Sequence, residues 1–276
     1  MRSVEAEIMG VLNVTPDSFS DGGEWFGADD AVRHGLQMLA DGASILDVGG
    51  ESTRPGAAAV PEAEELERTI PVVAALARAV HGTAAVISID TTKLAVAEAA
   101  LAAGAGYVND VSALRSDPQM AGLVAGSGAR CCLMHMRGEP RTMQQAPRYD
   151  DVVDEVKAFL ADRAAFAVAE GIAEDRIDLD PGIGFGKTVE HNLTLLRRLD
   201  ELSGLGFRLM GGVSRKSFIG AVSGADDPTL RVPGTIAANV LAYERGARMF
   251  RVHDVAENAQ ALAVAAAVRS GTEHPA

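Results

Sequence analysis

Carboxylate and amide side chains stand near the ends of short apolar runs, where they could hydrogen-bond a flat heterocycle. Asp90 ends "AVISID", Asn109 lies in "YVND", and Asp180 ends "RIDLD". An amidine-like ring edge offers two adjacent N–H donors, which a carboxylate accepts as a fork, while an asparagine both donates and accepts. Lys216 can meet a ring carbonyl or nitrogen. These residue types favour recognition of a ring such as a pterin.

Groups on the first and last apolar runs suit an anionic tail. Arg251 and His253 belong to "RMFRVH", and Asn13 directly follows "EIMGVL". They fit a diphosphate with Mg²⁺, whose preferred ligands are oxygens. The cations that we expect to oppose the carboxylates are Arg54, Arg215, Lys216 and Arg251.

Structural alternatives stay open for single residues. Asp47 lies inside its run and could be a buried carboxylate held by backbone donors. Asp90 is followed by "TTK" and could cap the next helix. His135 and His253 could be ordinary histidines, and the chain has no H-x-H or HExxH spacing, which argues against zinc.

The stretch "DPGIGFGKT" at 180–188 has the composition of a phosphate-binding loop but not its spacing. A Walker A loop needs a glycine five positions before Gly186, where Pro181 stands, and the dinucleotide pattern G-x-G-x-x-G also fails. We therefore expect a tight strand-to-helix connection, with Lys187 at the start of the helix and facing away from any phosphate.

The elements that must position these groups alternate along the chain. Short, continuous apolar runs are typical of parallel strands covered on both faces. The predicted strands are 7–12, 44–48, 85–90, 107–110, 130–135, 176–180, 207–213 and 248–253. The clearest amphipathic segments between them are 29–41, 62–80, 92–103, 149–170, 188–202 and 255–268.

Eight strands with helices between them predict a single-domain (β/α)8 TIM barrel over residues 1–276, with a doubly wound open sheet as the alternative. Active sites of such barrels lie at the carboxyl-terminal ends of the strands, where the polar groups collect here. The long stretch 13–28 after the first strand reads as a functional loop.

Composition narrows the class of protein. With 47% hydrophobic residues the chain can bury a large core, and a net charge of −13 argues against nucleic-acid binding. The chain has neither a secretory h-region nor 18 uninterrupted apolar residues, so we expect no membrane span and a cytoplasmic location. Cys131 and Cys132 are adjacent and should not pair with each other.

Eight blocks closely resemble dihydropteroate synthases, in the same order and over nearly the whole chain. They are "MGVLNVTPDSFSDGG" 9–23, "LDVGGESTRPGA" 46–57, "ISIDT" 87–91, "VNDVSALR" 108–115, "CLMHMRGEPRTMQ" 132–144, "LDPGIGFGKTVEHNLTLL" 179–196, "GVSRKSFIG" 212–220 and "RVHDV" 251–255. The resemblance implies condensation of (7,8-dihydropterin-6-yl)methyl diphosphate with 4-aminobenzoate to 7,8-dihydropteroate and diphosphate, in folate biosynthesis. It also implies Mg²⁺, inhibition by sulfonamides, and a homodimer.

The resemblance assigns roles position by position. The implied pterin-binding residues are Asp90, Asn109, Val111, Met134, Asp180 and Lys216. Diphosphate binding falls to Thr53, Arg251 and His253, and the Mg²⁺ ligand is Asn13. The implied aminobenzoate pocket is Phe19, Arg54, Pro55, Phe185 and Ser217, and the catalytic roles fall to Asp21, Arg54, Asp90 and Lys216. The first loop, 13–28, and the second, 52–59, are expected to be mobile and to fold over the site.

The implied reaction needs no strong general base, because an aromatic amine is a neutral nucleophile at pH 7. The electron-rich ring lets diphosphate leave before attack, which predicts an SN1-like path. Two alternatives remain: a methyltetrahydrofolate-dependent methyltransferase domain, and a non-catalytic pterin-binding homologue. The blocks "SRKSF" 214–218 and "STRPG" 52–56 favour the synthase over the methyltransferase, and the intact Arg54 and Lys216 argue against the non-catalytic homologue.

Overall fold

Eight parallel strands close into a barrel in the computed structural model, which describes residues 6–14, 28–52, 59–138 and 142–271. Within those ranges the strands are β1 Glu7–Asn13, β2 Ile45–Gly49, β3 Val86–Asp90, β4 Tyr107–Asp110, β5 Arg130–Met134, β6 Ile177–Asp180, β7 Arg208–Gly211 and β8 Ala247–Val252. They follow chain order, and β8 pairs with β1 to complete the circle. The predicted TIM barrel is confirmed and the open sheet is excluded.

Helices cover the outside of the barrel. They are α1 Ala28–Ala40, α2 Glu62–Ala79, α3 Leu94–Ala102, α4 Met120–Ser127, α5 Val152–Ala169, α6 Val189–Arg197, α7 Asp200–Ser203, α8 Ser217–Ser223, α9 Val232–Glu244 and α10 Val255–Ser270. The predicted segment 188–202 is two helices, α6 and α7. The segments singled out from the sequence did not include α4, α8 or α9, because α4 and α9 are apolar around most of their circumference and α8 is short. In the described part of the chain, no helix is long and apolar enough to cross a bilayer.

The two faces of each strand serve different cores. Outward-facing strand residues such as Leu46 and Ile89 pack in the large cluster shared with the helices. Inward-facing residues form a separate, smaller cluster that fills the barrel: Met9, Ile45, Tyr107, Cys132, Met210 and Met249. Successive strand residues alternate between these faces. Cys131 and Cys132 accordingly lie in different clusters, both unpaired, as expected.

An ion-pair cluster closes the amino-terminal end of the barrel, and we call it the floor cluster: Glu7, Tyr107, Arg130, Asp178 and Arg208. Arg208 donates from Nε to Asp178 at 2.5 Å and from Nη1 to Glu7, so it joins β6 to β1. Arg130 donates to Glu7 at 3.1 Å, and the Tyr107 hydroxyl donates to Asp178 at 2.8 Å. No local pattern in the sequence indicates this cluster, which lies at the opposite end of the barrel from the candidate site.

Candidate active site

Polar side chains meet inside the carboxyl-terminal end of the barrel because of the strand register. Gly49 on β2 is paired with Asp90 on β3, and Asp90 with Asn109 on β4. On the other side, Met134 at the end of β5 is paired with Asp180 at the end of β6. Asp90, Asn109 and Asp180 are all buried. The predicted pterin-reading groups therefore share one end of the barrel interior.

Asp47 organises the centre of this group. It has no exposed surface, and its carboxylate accepts hydrogen bonds from Ser88 Oγ at 2.5 Å, Asn109 Nδ2 at 2.9 Å and Arg251 Nε at 2.7 Å. These hydrogen bonds come from side chains on three other strands, so the alternative that backbone donors hold the Asp47 carboxylate is wrong. Period-two alternation from Ile45, which lies in the interior cluster, also places Asp47 inside the barrel.

Asp90 faces the barrel interior and does not cap a helix. The next helix, α3, begins at Leu94 with Lys93 as the preceding cap residue, so the capping alternative is wrong. Arg251 donates from Nη2 to Asp90 at 2.8 Å. Burial raises the pKa of Asp90 to about 7, against the opposing effect of the Arg251 charge.

Lys216 stands across from the carboxylates, at the turn after β7. Its ammonium donates to the Ile183 carbonyl and lies 4.6 Å from the centre of the Phe185 ring. A side chain added at Gly212 would meet Asp180 Oδ2 at 3.0 Å and Lys216 Nζ at 3.7 Å, so the two charged groups flank the same backbone position. Burial lowers the pKa of Lys216 to about 8, with Asp180 opposing the shift.

The stretch 180–188 runs from the last residue of β6 to the cap residue of α6, and side chains hold its backbone at several points. Each carbonyl from Gly182 to Gly186 accepts a hydrogen bond from a side chain. The donors are Lys187 to Gly182 and Phe185, Lys216 to Ile183, Gln144 to Gly184 at 2.5 Å, and Tyr149 to Gly186 at 2.9 Å. The backbone N–H of Gly182 also donates to Asp180 Oδ1 at 2.7 Å. This loop therefore fixes Asp180 at one end and the Phe185 ring in its middle.

Lys187 does not lie at the start of helix α6, where the sequence predicted it. Helix α6 begins at Val189 after the cap residue Thr188, so Lys187 lies in the loop and does not begin the helix. The side chain is buried, and its Nζ contacts His135 Nδ1 at 2.9 Å, Gly182 O at 2.9 Å and Phe185 O at 3.0 Å. Lys187 thus holds the loop together from beneath.

The diphosphate candidates occupy the end of β8. His253 Nδ1 lies 2.9 Å from Ser214 Oγ, which also accepts the His253 backbone N–H at 3.1 Å. Arg251 is held between Asp47 and Asp90, as described above. Arg215, which the sequence grouped with these cations, instead forms an ion pair with Asp254, with Nε 2.9 Å from Oδ2. That prediction for Arg215 is wrong, because the turn directs its side chain to α10.

The remaining described candidates lie at the same end of the barrel. Val111 and Met134 are buried at the ends of β4 and β5, and Ser217 is exposed as the first residue of α8. Asn13 ends β1, with its side-chain oxygen 3.8 Å from a methyl group placed on Gly49. Five candidates lie outside the described residues: Phe19, Asp21, Thr53, Arg54 and Pro55.

A metal at this rim would depend on few protein ligands. Within the described ranges, no three His, Cys, Asp or Glu side chains are grouped to hold an ion. The Asn13 amide oxygen is a hard donor of the type that Mg²⁺ accepts, and Mg²⁺ commonly keeps water and substrate phosphate oxygens as its other ligands. The donor set therefore fits Mg²⁺ bound mainly through the substrate.

A further cluster, not anticipated from the sequence, supports the start of the second loop. Lys93 forms ion pairs with Glu51, which directly follows "GG" after β2, and with the buried Glu65 of α2. Arg68 donates to the Gly50 carbonyl at 2.9 Å. Acidic residues in "PEAEELER" read from the sequence as a helix start, so only the fold reveals that Glu65 faces inward.

Comparison with known proteins gives a consistent result. The family model "Pterin binding enzyme" matches residues 9–253. The chain is 46% identical to dihydropteroate synthase of Escherichia coli K12 over 267 residues, covering 97% of this chain and 93% of the relative. It is 48% identical to the Synechocystis enzyme over 261 residues, covering 95% and 89%.

Solved structures are equally similar. Xanthomonas albilineans dihydropteroate synthase with 4-aminobenzoic acid superposes with a TM-score of 0.90 at 48% identity, covering 96% of this chain and 94% of that one. The same enzyme in complex with 7,8-dihydropteroate gives 0.87 at 46% identity, with the same coverage. Yersinia pestis dihydropteroate synthase in a sulfonamide complex gives 0.89 at 45%, covering 96% and 95%.

Proposed function

The chain belongs to the dihydropteroate synthases of the pterin-binding enzyme family, and we propose that its barrel joins (7,8-dihydropterin-6-yl)methyl diphosphate to 4-aminobenzoate. The products are 7,8-dihydropteroate and diphosphate, which makes the protein a transferase of folate biosynthesis. The observation that carries this function is the convergence of Asp90, Asn109, Asp180 and Lys216 at one end of the barrel.

The pterin ring is proposed to lie between β3, β4 and β6. Asp90, Asn109 and Asp180 supply acceptors for the N–H groups of the ring edge, and Lys216 supplies a donor for a ring carbonyl or nitrogen. Val111 and Met134 are buried apolar residues beside these groups and suit the flat faces of the ring. The alternative of a methyltransferase domain would leave the groups around Phe185 and Ser217 without a use.

The aminobenzoate is proposed to bind beside Phe185, at the mouth of the pterin site. The Phe185 ring lies 4.6 Å from the Lys216 ammonium, and the exposed Ser217 directly follows Lys216, so its hydroxyl suits a carboxylate. Phe19, Arg54 and Pro55 are proposed to complete this pocket, and Asp21 to act from the first loop.

The diphosphate is proposed to lie over β8 and β1. Arg251 and His253 contribute N–H donors, Thr53 is expected to join them, and Asn13 would hold Mg²⁺. When bound there, Mg²⁺ would neutralise charge on the leaving diphosphate. Arg251 is already fixed in place by two carboxylates, so it needs little reorganisation as negative charge develops.

The chemistry follows from the placement of these groups. The bond from the pterin methylene carbon to the diphosphate oxygen breaks first, and the carboxylates of Asp90 and Asp180 stabilise the resulting pterin cation. The aminobenzoate nitrogen then forms the new bond to that carbon and releases a proton to solvent. The protein residues orient the amine and keep water from the pterin cation until the new bond has formed, and they do not abstract the proton.

Three further properties are part of the proposal. Sulfonamides are expected to compete with aminobenzoate, since the similar Yersinia pestis structure carries one. A homodimer is expected, and the adjacent elements α8 and α9 expose Val222 and Leu241. A cytoplasmic location is consistent with two buried, unpaired cysteines.

The decisive experiment is a two-substrate assay. Purified protein with Mg²⁺, the pterin diphosphate and 4-aminobenzoate should release diphosphate and form a product with the mass of 7,8-dihydropteroate. Omitting aminobenzoate separates synthesis from simple hydrolysis of the diphosphate. No dihydropteroate at saturating substrates would overturn the proposed function.

A further inference from the structure

We propose that Asp47 is a positioning residue for pterin recognition: its buried carboxylate sets the orientation of the Asn109 amide and holds Arg251 against the site. This inference rests on the proposed function and deepens it. Asp47 lies in the middle of β2, two residues before the strand end, and has no exposed surface. It therefore acts through its neighbours.

The contacts of Asp47 come from three separate strands. Ser88 on β3 donates at 2.5 Å, Asn109 on β4 at 2.9 Å, and Arg251 on β8 at 2.7 Å. A carboxylate beside a guanidinium accepts hydrogen bonds and does not donate them. One oxygen is shared by Asn109 and Arg251, while the other is used by Ser88.

This arrangement removes an ambiguity in Asn109. An asparagine amide can present either its carbonyl or its NH₂ group to a neighbour, and the two ends have opposite polarity. Because Asp47 takes one N–H, the carbonyl oxygen of Asn109 is turned away from it. Reversing the amide would bring Oδ1 against the carboxylate, with two acceptors facing each other in a buried site. Asp47 thereby selects the pattern of donors and acceptors that Asn109 shows to a ring.

Asp47 also fixes the plane of Arg251. The guanidinium donates Nε to Asp47 and Nη2 to Asp90, so two carboxylates hold it at two different nitrogens. Its planar fork keeps little freedom once two N–H groups are used. The remaining N–H groups are then directed by the protein rather than by a ligand, and a diphosphate meets a cation that is already oriented.

The test is Asp47→Ala, which removes the acceptor, with Asp178→Ala as a matched control. Asp178 is equally buried and accepts from arginines and a hydroxyl, but it lies in the floor cluster. In Asp47→Ala, Asn109 Nδ2 and Arg251 Nε lose the oxygen that accepts from both of them, so the Asn109 amide is no longer held in one orientation. The probe is 6-hydroxymethylpterin, which lacks the diphosphate, titrated calorimetrically into folded protein.

We expect Asp47→Ala to weaken 6-hydroxymethylpterin binding by about 10- to 100-fold, the cost of leaving the buried Asn109 amide without its acceptor. Asp178→Ala should bind the pterin within about 3-fold of the original chain, although both changes lower thermal stability. Unchanged pterin affinity in Asp47→Ala, or an equal loss in Asp178→Ala, would overturn the inference.

A double-mutant cycle separates positioning from general damage. On an Asn109→Ala background, where no amide remains to orient, Asp47→Ala should weaken pterin binding by much less than in the original chain. Full additivity would contradict the role through Asn109. If the unmodified chain itself bound no 6-hydroxymethylpterin, the proposed function would fail first, which is a separate result.

Discussion

Asp90 and Lys216 are the two residues whose ionisation is moved furthest toward neutral pH in the proposed pterin site. Burial raises the pKa of Asp90 to about 7 and lowers that of Lys216 to about 8. Both shifts favour the uncharged form, because each side chain has lost water. A ligand that pairs with both charges would compensate for this loss, so the site is matched to a ring with N–H groups on one edge and an acceptor on another.

Pterin binding should therefore depend on pH in a bell shape. Asp90 takes up a proton as pH falls below about 7, and Lys216 loses its proton as pH rises above about 8. Affinity should be highest between these values and fall by at most about tenfold per pH unit on either side, since one proton is involved on each limb. Calorimetric titration of 6-hydroxymethylpterin across a pH series measures the profile.

Two variants identify which residue causes each fall in pterin affinity. Lys216→Arg keeps its charge at high pH, so the alkaline fall should disappear even if affinity is reduced. Asp90→Asn has no titrating group, so the acidic fall should disappear. Retention of both limbs in both variants would mean that other groups control binding.

At the scale of elements, the loop between β6 and α6 joins the two halves of the site. Gly182 has a φ of +65°, and a methyl group there would lie 1.8 Å from the His135 carbonyl oxygen. Gly206 has a similar φ of +86° but no atom within 4 Å of the same position. The two glycines therefore separate the effect of backbone strain from the effect of close packing between loops.

Gly182→Ala is expected to lower the free energy of unfolding by about 3 kcal/mol or more, because a clash adds to the strain of a positive φ. Gly206→Ala should cost about 1 kcal/mol, from strain alone. Urea unfolding of the two variants measures the difference. Equal losses would show that the β6–α6 loop can move away from His135 at little cost.

Lys187→Met is expected to raise the KM for 4-aminobenzoate by about tenfold while changing pterin affinity by less than about threefold. Lys187 holds the Phe185 carbonyl at 3.0 Å, whereas Asp180 keeps its place through β6 and the Gly182 N–H. Steady-state kinetics with each substrate varied measures the split.

Lys157→Met, on the outer helix α5, is the control and should leave both constants unchanged. A parallel loss of pterin and aminobenzoate affinity in Lys187→Met would indicate that the whole site had loosened rather than the Phe185 position.

For the whole molecule, stability and recognition belong to opposite ends of the barrel. The floor cluster ties β1, β5, β6 and β7 through Glu7, Arg130, Asp178 and Arg208. The other end holds the candidate site, where carboxylates and cations are spaced for ligands. This division is common in barrels whose chemistry lies at the carboxyl-terminal ends of the strands.

Arg208→Met should lower the free energy of unfolding by about 1–3 kcal/mol, because it leaves the buried Asp178 with fewer donors. Pterin affinity should stay within about threefold of the original value. Arg33→Met is the control, since Arg33 is largely exposed and, among the described residues, its ion pair is with Asp30 on the same helix, so the change should not alter the melting temperature. Loss of pterin affinity in Arg208→Met would mean that the two ends of the barrel are coupled.

Much of the fold followed from local patterns. The continuous apolar runs located all eight strands to within two residues at every end, because strands buried on both faces must be apolar throughout. Helices α4 and α9 left no comparable signal, since they lack a clear polar face and so show no 3.6-residue alternation. The family blocks predicted the site residues, and their roles stay predictions, while the structure places Asp90, Asn109, Asp180 and Lys216 at one end of the barrel.

The sequence by itself determined the strands, their order and the polar groups that end them, because these depend on the chemistry of neighbouring residues. Only the tertiary structure decided what Asp47, Lys187 and Arg215 do. Asp47 meets Arg251 from 204 residues away, and Lys187 meets His135 from 52 residues away. Closure of the barrel brings β8 beside β1, and dense packing then selects the partner of each buried charge. No local pattern encodes that choice.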